Sequence, residues 1–194
     1  MGIFFSFVRL VSIYAVIISM ILVAQLGLSQ DCAAETSLFN EIRLGTFLHD
    51  VETLNGENDI DINGELLFDN LSSRTGNGFF DYFLSPRPHI GVTKNWGKGS
   101  GKISELYSGL TWDIPLLDNV FTELTFGGAI HDGKLNLYGC RVNFRESAYM
   151  GINLTKKIDL IATIGHMSNA GLCGSSNKNH GLTNAGIRLG YHFD

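Results

Sequence analysis

Charge is scarce in this chain. Asp, Glu, Lys and Arg make up 17% of its 194 residues, against about a quarter in an ordinary soluble domain. That scarcity excludes a long disordered or supercharged segment, which needs charge to stay solvated. The charge present leans acidic, net −5, and there is no basic stripe, which argues against a nucleic-acid partner. Proline is nearly missing at 3 residues, whereas glycine reaches 23. Many strands and tight turns suit that balance better than a helix bundle. Cysteine stops at 3 widely spaced residues, too few for a zinc-finger framework. Long apolar runs are absent beyond Leu28, so no transmembrane helix is expected after that point. The length fits one domain with at most a short appendage.

Before Leu28 the pattern differs. Arg9 gives a short positive start, and Val11 to Leu28 is continuously apolar. Small residues follow at Cys32-Ala33-Ala34. This reads as a secretory signal over 1–34 with cleavage after Ala34, leaving a domain over 35–194. An uncleaved anchor is the alternative, because the run is long enough to cross a bilayer. Asp31 before Cys32 argues against a lipoprotein signal. Either way the chain is exported, to a compartment that permits disulfides. Membrane residence stays open without a helix, since a β-barrel crosses with alternating strands of about 10 residues.

Period-2 alternation recurs eight times, over Phe39–His49, Asp59–Phe68, Pro88–Trp96, Glu105–Ile114, Val120–His131, Cys140–Leu154, Ile158–Ser168 and Leu182–Phe193. In the last, Ala185, Ile187, Leu189, Tyr191 and Phe193 alternate with Asn184, Gly186, Arg188, Gly190 and His192. Turn residues separate the segments at Asn55-Gly56, Gly97–Gly101, Asp132-Gly133 and Ser175–Asn179. Residues 69–87 are longer and carry Phe79-Phe80-Asp81-Tyr82-Phe83, the makings of a small helix or a plug. Eight such strands close in two ways. A soluble calycin-type barrel turns its apolar face inward, and an outer-membrane barrel turns it outward. The polar faces are rich in Gly, Thr, Asn, Asp, Glu and Arg but poor in Lys, which suits a crowded interior. An aromatic also stands next to the C-terminus, at Phe193. The preferred reading is therefore all-β: an eight-stranded antiparallel transmembrane β-barrel of the bacterial outer membrane.

With both termini on the periplasmic side, Cys140 falls at the outer end of strand six and Cys173 in the last outer loop. A bridge between them is geometrically reasonable, and two separate thiols are the alternative. His166-Met167-Ser168 is the informative spot. Residues two apart on a strand share a face, and here that face is the one carrying Leu160, Ala162 and Ile164. A polar pair facing lipid is costly unless paired or functional. A neutral imidazole beside a hydroxyl can take its proton and make an ester-cleaving nucleophile. Asn169 and Gly171 follow where an oxyanion would need donors. The competing reading is a solvated His and Ser at the membrane rim.

His166-Met167-Ser168-Asn169-Ala170-Gly171 resembles the His-x-Ser-Asn-Ala-Gly motif of the PagL-type lipid A 3-O-deacylases. Asn179-His180-Gly181-Leu182 and the strand after it are similar as well, so the specific likeness covers mainly 160–193. The resemblance implies an active site on the lipid-facing outside of an eight-stranded barrel. It implies hydrolysis of the ester-linked 3-acyl chain of lipid A, with no metal or other cofactor. It makes His166 the general base, Ser168 the nucleophile and Asn169 an oxyanion contributor. The family's third member, a Glu, is replaced by Thr183. A hydroxyl cannot stabilise an imidazolium as a carboxylate does.

Glu146 is a candidate replacement. Hairpin pairing around Thr155–Lys157 sets it opposite His166 or Ser168, on the face of Phe144 and Ala148. A bulge around Arg145–Ser147 would instead turn it inward to Arg145 or Arg188. Glu41, Arg43, Asp61, Glu65, Asp113, Glu123, Arg141 and Arg188 read as interior salt-bridge partners. His131, His180 and His192 show no metal-ligand spacing. The Gly97–Lys102 run lacks the order of a phosphate loop and reads as an outer loop whose lysines could touch lipid A phosphates. The expected partners are lipid A, lipopolysaccharide or another outer-leaflet lipid, and the membrane itself; a homodimer is compatible. Two rivals stand beside the deacylase: a non-catalytic barrel on the same scaffold, and a soluble lipocalin-like binder.

Overall fold

The computed structural model describes residues 39–52, 59–71, 79–97, 103–173 and 180–193. The leader expected over 1–34, the Asn55-Gly56 and Ser175–Asn179 turns and residues 98–102 of the glycine-rich loop lie outside the described residues. Eight strands form: β1 (Glu41–Leu48), β2 (Ile60–Leu67), β3 (Arg87–Asn95), β4 (Glu105–Leu117), β5 (Val120–His131), β6 (Val142–Asn153), β7 (Ile158–Ser168) and β8 (Leu182–His192). Each pairs antiparallel with its sequence neighbours, and β8 returns to β1, so the sheet closes into a barrel with no free edge.

The alternation that predicts the strands also decides which way they face. Leu48, Ile62, Ile90, Leu106, Leu124, Phe126, Ile130, Met150, Ile164 and Ile187 point outward and are exposed. Glu41, Arg43, Asp61, Glu65, Glu105, Glu123, Arg145 and Arg188 point inward and are buried. A soluble binder would have the reverse arrangement, so that rival is overturned. The inverted pattern is the one that places a polar interior inside an apolar band.

Buried charge is tolerated only when it is paired. Arg43 bonds Glu41 and Glu123 and lies 3.6 Å from Glu65. Arg188 reaches Glu65 at 2.9 Å, Arg145 reaches Glu105 at 3.1 Å, and Arg87 reaches Glu41 at 2.8 Å. The Arg145 and Arg188 guanidinium groups also lie over the rings of Tyr107 and Tyr149, 3.8 and 4.2 Å from their centroids. Arg141 departs from the expectation. It is exposed at the rim and donates to the backbone carbonyls of His131 and Gly133.

Among the described residues, two short helices interrupt the hairpins. The aromatic insert forms α1 (Phe79–Leu84). It is no plug: Phe83 stacks on Trp112 of β4 at 6.2 Å, and the Trp112 indole donates to the Phe83 carbonyl, on the exposed outside of the wall. α2 (Leu135–Tyr138) lies between β5 and β6 and does close one end of the lumen. Its Tyr138 joins Ile103, Tyr107, Ala129, Met167 and Leu182 in a buried apolar cluster. This cap sits at the barrel end where β7 stops and β8 begins, opposite the end where β1 starts.

Candidate active site

β7 carries the site because its register is unbroken. Against β6 it pairs Phe144 with Ser168, Arg145 with Met167 and Glu146 with His166. Against β8 it pairs His166 with Thr183 and Met167 with Leu182. Glu146, His166 and Thr183 therefore form one row across three adjacent strands, with Ser168 one step beyond. The bulge that would have turned Glu146 inward does not occur. Arg145 and Ser147 are buried on the lumen side, and Glu146 is exposed on the outer face. Met167 points the other way into the apolar cap and is 1% exposed. That inward anchor fixes the outward direction of His166 and Ser168 on either side of it.

The imidazole leans toward β8. His166 Nδ1 lies 2.8 Å from Thr183 Oγ1. Gly181 makes room for the ring, since a Cβ there would stand 2.3 Å from His166 Cε1 and 2.8 Å from Nε2. Glu146 sits on the opposite side, and among the described residues no hydrogen bond joins it to His166. Glu146 and His166 thus share register without a hydrogen bond, and the ring is held by Thr183. With Nδ1 engaged, Nε2 is the other ring nitrogen; it lies toward Gly181, and among the described residues no hydrogen bond joins it to Ser168.

Asn169 also differs from expectation. The next residue along the strand faces inward, so its side chain is buried rather than beside Ser168. Its Nδ2 donates to the Tyr138 carbonyl at 2.9 Å, and its Oδ1 accepts from the Gly171 amide at 2.7 Å. The side chain shapes the turn in which Ala170 and Gly171 both hold positive φ, 51° and 74°.

The bridge between Cys140 and Cys173 is formed, with Cα atoms 5.6 Å apart. Glu41, Asp159 and His192 bring ligand atoms within 4.8 Å of one another. They lie at the end of the lumen where β1 starts and β8 stops, away from His166, and are already engaged. Glu41 bonds Arg43 and Arg87, and Asp159 bonds His192 at 2.6 Å. This trio is part of the lumen network.

The model of the lipid A 3-O-deacylase (PagL) family matches residues 87–192, more than half of the chain. The chain belongs to that family. The PagL outer-membrane enzyme has a crystal structure similar to this barrel, with a TM-score of 0.56 and 17% identity, covering 78% of this chain and 98% of that one. Neisserial surface protein A is similar at a TM-score of 0.53 and 13% identity, covering 81% and 98%. A de novo designed transmembrane β-barrel follows at 0.50 and 11%, covering 81% and 97%. Comparison with curated proteins gives no significant match. At these identities the structures speak for the fold. Family membership places this PagL-family barrel in the bacterial outer membrane.

Within the family reading, Gly181 is the residue whose part was not foreseen. It belongs to the Asn179–Leu182 stretch, but contact with the His166 ring leaves no periodic trace. Glu105, Tyr107 and Tyr149 were likewise not named as lumen partners, and Arg145 was named only as a partner for an inward Glu146. Their inward parity was the available signal.

Proposed function

We infer that this PagL-family protein is an esterase that removes the 3-acyl chain of lipid A at the outer leaflet by a Ser/His mechanism. The observation that supports this is the outward pair at the end of β7, His166 and Ser168, with His166 Nδ1 held 2.8 Å from Thr183 Oγ1. In this reading Nδ1–H donates to Thr183, so Nε2 is unprotonated and can accept the Ser168 proton. The Ser168 oxygen attacks the acyl carbonyl carbon. The tetrahedral adduct collapses, re-forming the carbonyl and breaking the ester C–O bond, and the leaving sugar oxygen takes the proton from His166. Deacylated lipid departs and the acyl chain stays on Ser168. Water, deprotonated by His166, then attacks the acyl-enzyme carbonyl; the bond to the Ser168 oxygen breaks, that oxygen takes the proton back from His166, and the fatty acid leaves.

Thr183 orients the ring but brings no charge. Glu146, next to His166 in register on the outer face, supplies a negative charge that favours the imidazolium formed at each proton transfer. Asn169 acts through the backbone, as a positioning residue that sets the turn after Ser168. Neither step calls on a metal. The substrate approaches laterally, since the pair faces the apolar band rather than the lumen.

The test is mass spectrometry of lipid A from cells expressing the wild-type chain or Ser168→Ala. Loss of one 3-acyl chain is expected with the wild type only. A second reading, a non-catalytic barrel on the same scaffold, is favoured by Thr183 standing where the family carries Glu. Identical lipid profiles from the two strains would establish that reading and reject the hydrolase.

A further inference from the structure

We propose that α2 and the Cys140–Cys173 bridge form a platform that positions the Ser168 turn, so that catalysis depends on the bridge while the barrel does not.

Three ties join the 137–140 segment to both described ends of the β7–β8 connection. The Tyr138 carbonyl accepts from Asn169 Nδ2 at 2.9 Å. The Leu137 carbonyl accepts from the His180 amide at 3.0 Å. The disulfide links Cys140 to Cys173. One tie therefore acts immediately after Ser168, one acts five residues later, and one acts just before Gly181, whose bare Cα receives the His166 ring. The platform is itself rigidly seated. Tyr138 is buried in the apolar cap beside Met167 and Leu182, its ring meets His131 edge-on at 5.6 Å, and its carbonyl also accepts from the Cys140 amide at 2.9 Å.

The turn has reason to need such support. Ala170 occupies a left-handed backbone region that residues with a Cβ adopt reluctantly. A conformation of that kind persists only where its surroundings over-determine it. The bridge contributes nothing to the strand ladders. Cys140 precedes the first β6 pair and Cys173 follows the last β7 pair. Removing it loosens the turn and leaves the barrel hydrogen bonds in place. Reduction has a simple balance: a dithiol gives two electrons and two protons, leaves as its cyclic disulfide, and converts Cys140 and Cys173 to thiols.

The experiment compares refolded wild type, the same protein reduced with dithiothreitol after folding, and the C140S/C173S double variant. All are held in phospholipid–lipid A vesicles. Rates are measured together with hydrogen–deuterium exchange of peptides covering 167–172. Expected is a fall in kcat of about tenfold or more with KM little changed, reversed in the reduced wild type by re-oxidation. Faster exchange at 167–172 should accompany it, with exchange in β1–β3 and heat-modifiable gel mobility unaltered. The rate arm rests on the deacylase reading, whereas the exchange arm does not. If Ser168→Ala and wild type are equally inactive, the function reading falls and exchange alone decides the platform. Unchanged exchange at 167–172 on opening the bridge overturns the proposal, as does unchanged kcat in an active enzyme. Should the double variant fail to refold, the reduced wild type gives both readouts.

Discussion

The side chain that touches His166 is a threonine, and its chemistry sets what this site can do. A hydroxyl bonded to Nδ1 fixes the ring plane, but it can donate as well as accept, and it leaves the imidazolium without a bonded counter-charge. A neutral hydrogen bond of this kind is worth about 1–1.5 kcal/mol, and each 1.36 kcal/mol is a tenfold rate change. Thr183→Val keeps the shape and removes the acceptor, so kcat for lipid A should fall about tenfold while Thr183→Ser stays near wild type. Thr183→Glu restores a carboxylate beside Nδ1 and should raise kcat above wild type. Glu146→Gln removes the neighbouring negative charge and should lower kcat with KM little altered. Steady-state rates on the four variants check all of this. Full activity in Glu146→Gln would leave Thr183 as the sole support of the ring.

At the scale of elements, the site exists because three strands keep register and one short stretch ends them correctly. Most of that was readable beforehand. The eight alternating segments match the strands to within a few residues, with Val120–His131 and Ile158–Ser168 reproduced to the residue. Hairpin arithmetic also brought Glu146 level with His166 or Ser168, and the register takes the first. Two things were not readable. Alternation says which face a residue occupies but not which way its ring tilts, so the choice of Thr183 over Glu146 was hidden. Nor does it extend past the last strand residue without a known turn, so Asn169 was given to the reacting side although it lies inward. Gly181 illustrates both limits, as a residue just before β8 that admits the His166 ring. A Cβ there would occupy the space of Cε1, and the ring would have to swing off Thr183. Gly181→Ala should therefore cost about a hundredfold in kcat, the scale of a misplacement near 1 Å. Because Gly181 precedes the β8 ladder, the variant should fold and show wild-type heat-modifiable mobility. Wild-type kcat in that variant would mean the ring does not need its place against β8.

The whole molecule inverts the usual arrangement of a protein, with grease outside and ions within, and so its stability turns on charge balance in the lumen. Four glutamates (Glu41, Glu65, Glu105, Glu123) meet four arginines (Arg43, Arg87, Arg145, Arg188) among the described ion pairs. Arg43 stands at the centre of this set, fully buried and facing three of the four acids. Replacing a buried pair by apolar groups can be neutral, but removing one partner strands the others. Arg43→Met should lower stability by about 3–5 kcal/mol, seen as an earlier unfolding midpoint in urea or an earlier gel-mobility shift on heating. Adding Glu123→Gln removes one stranded acid and should recover part of that loss. The lumen and the reacting row are separated by the sheet itself, so turnover by the folded fraction should be unchanged in both variants. An Arg43→Met barrel as stable as wild type would show that lumen water, rather than the arginine, carries the glutamates. Reduced turnover per folded molecule would instead mean that the network sets the tilt of β7, and with it the outward aim of His166 and Ser168.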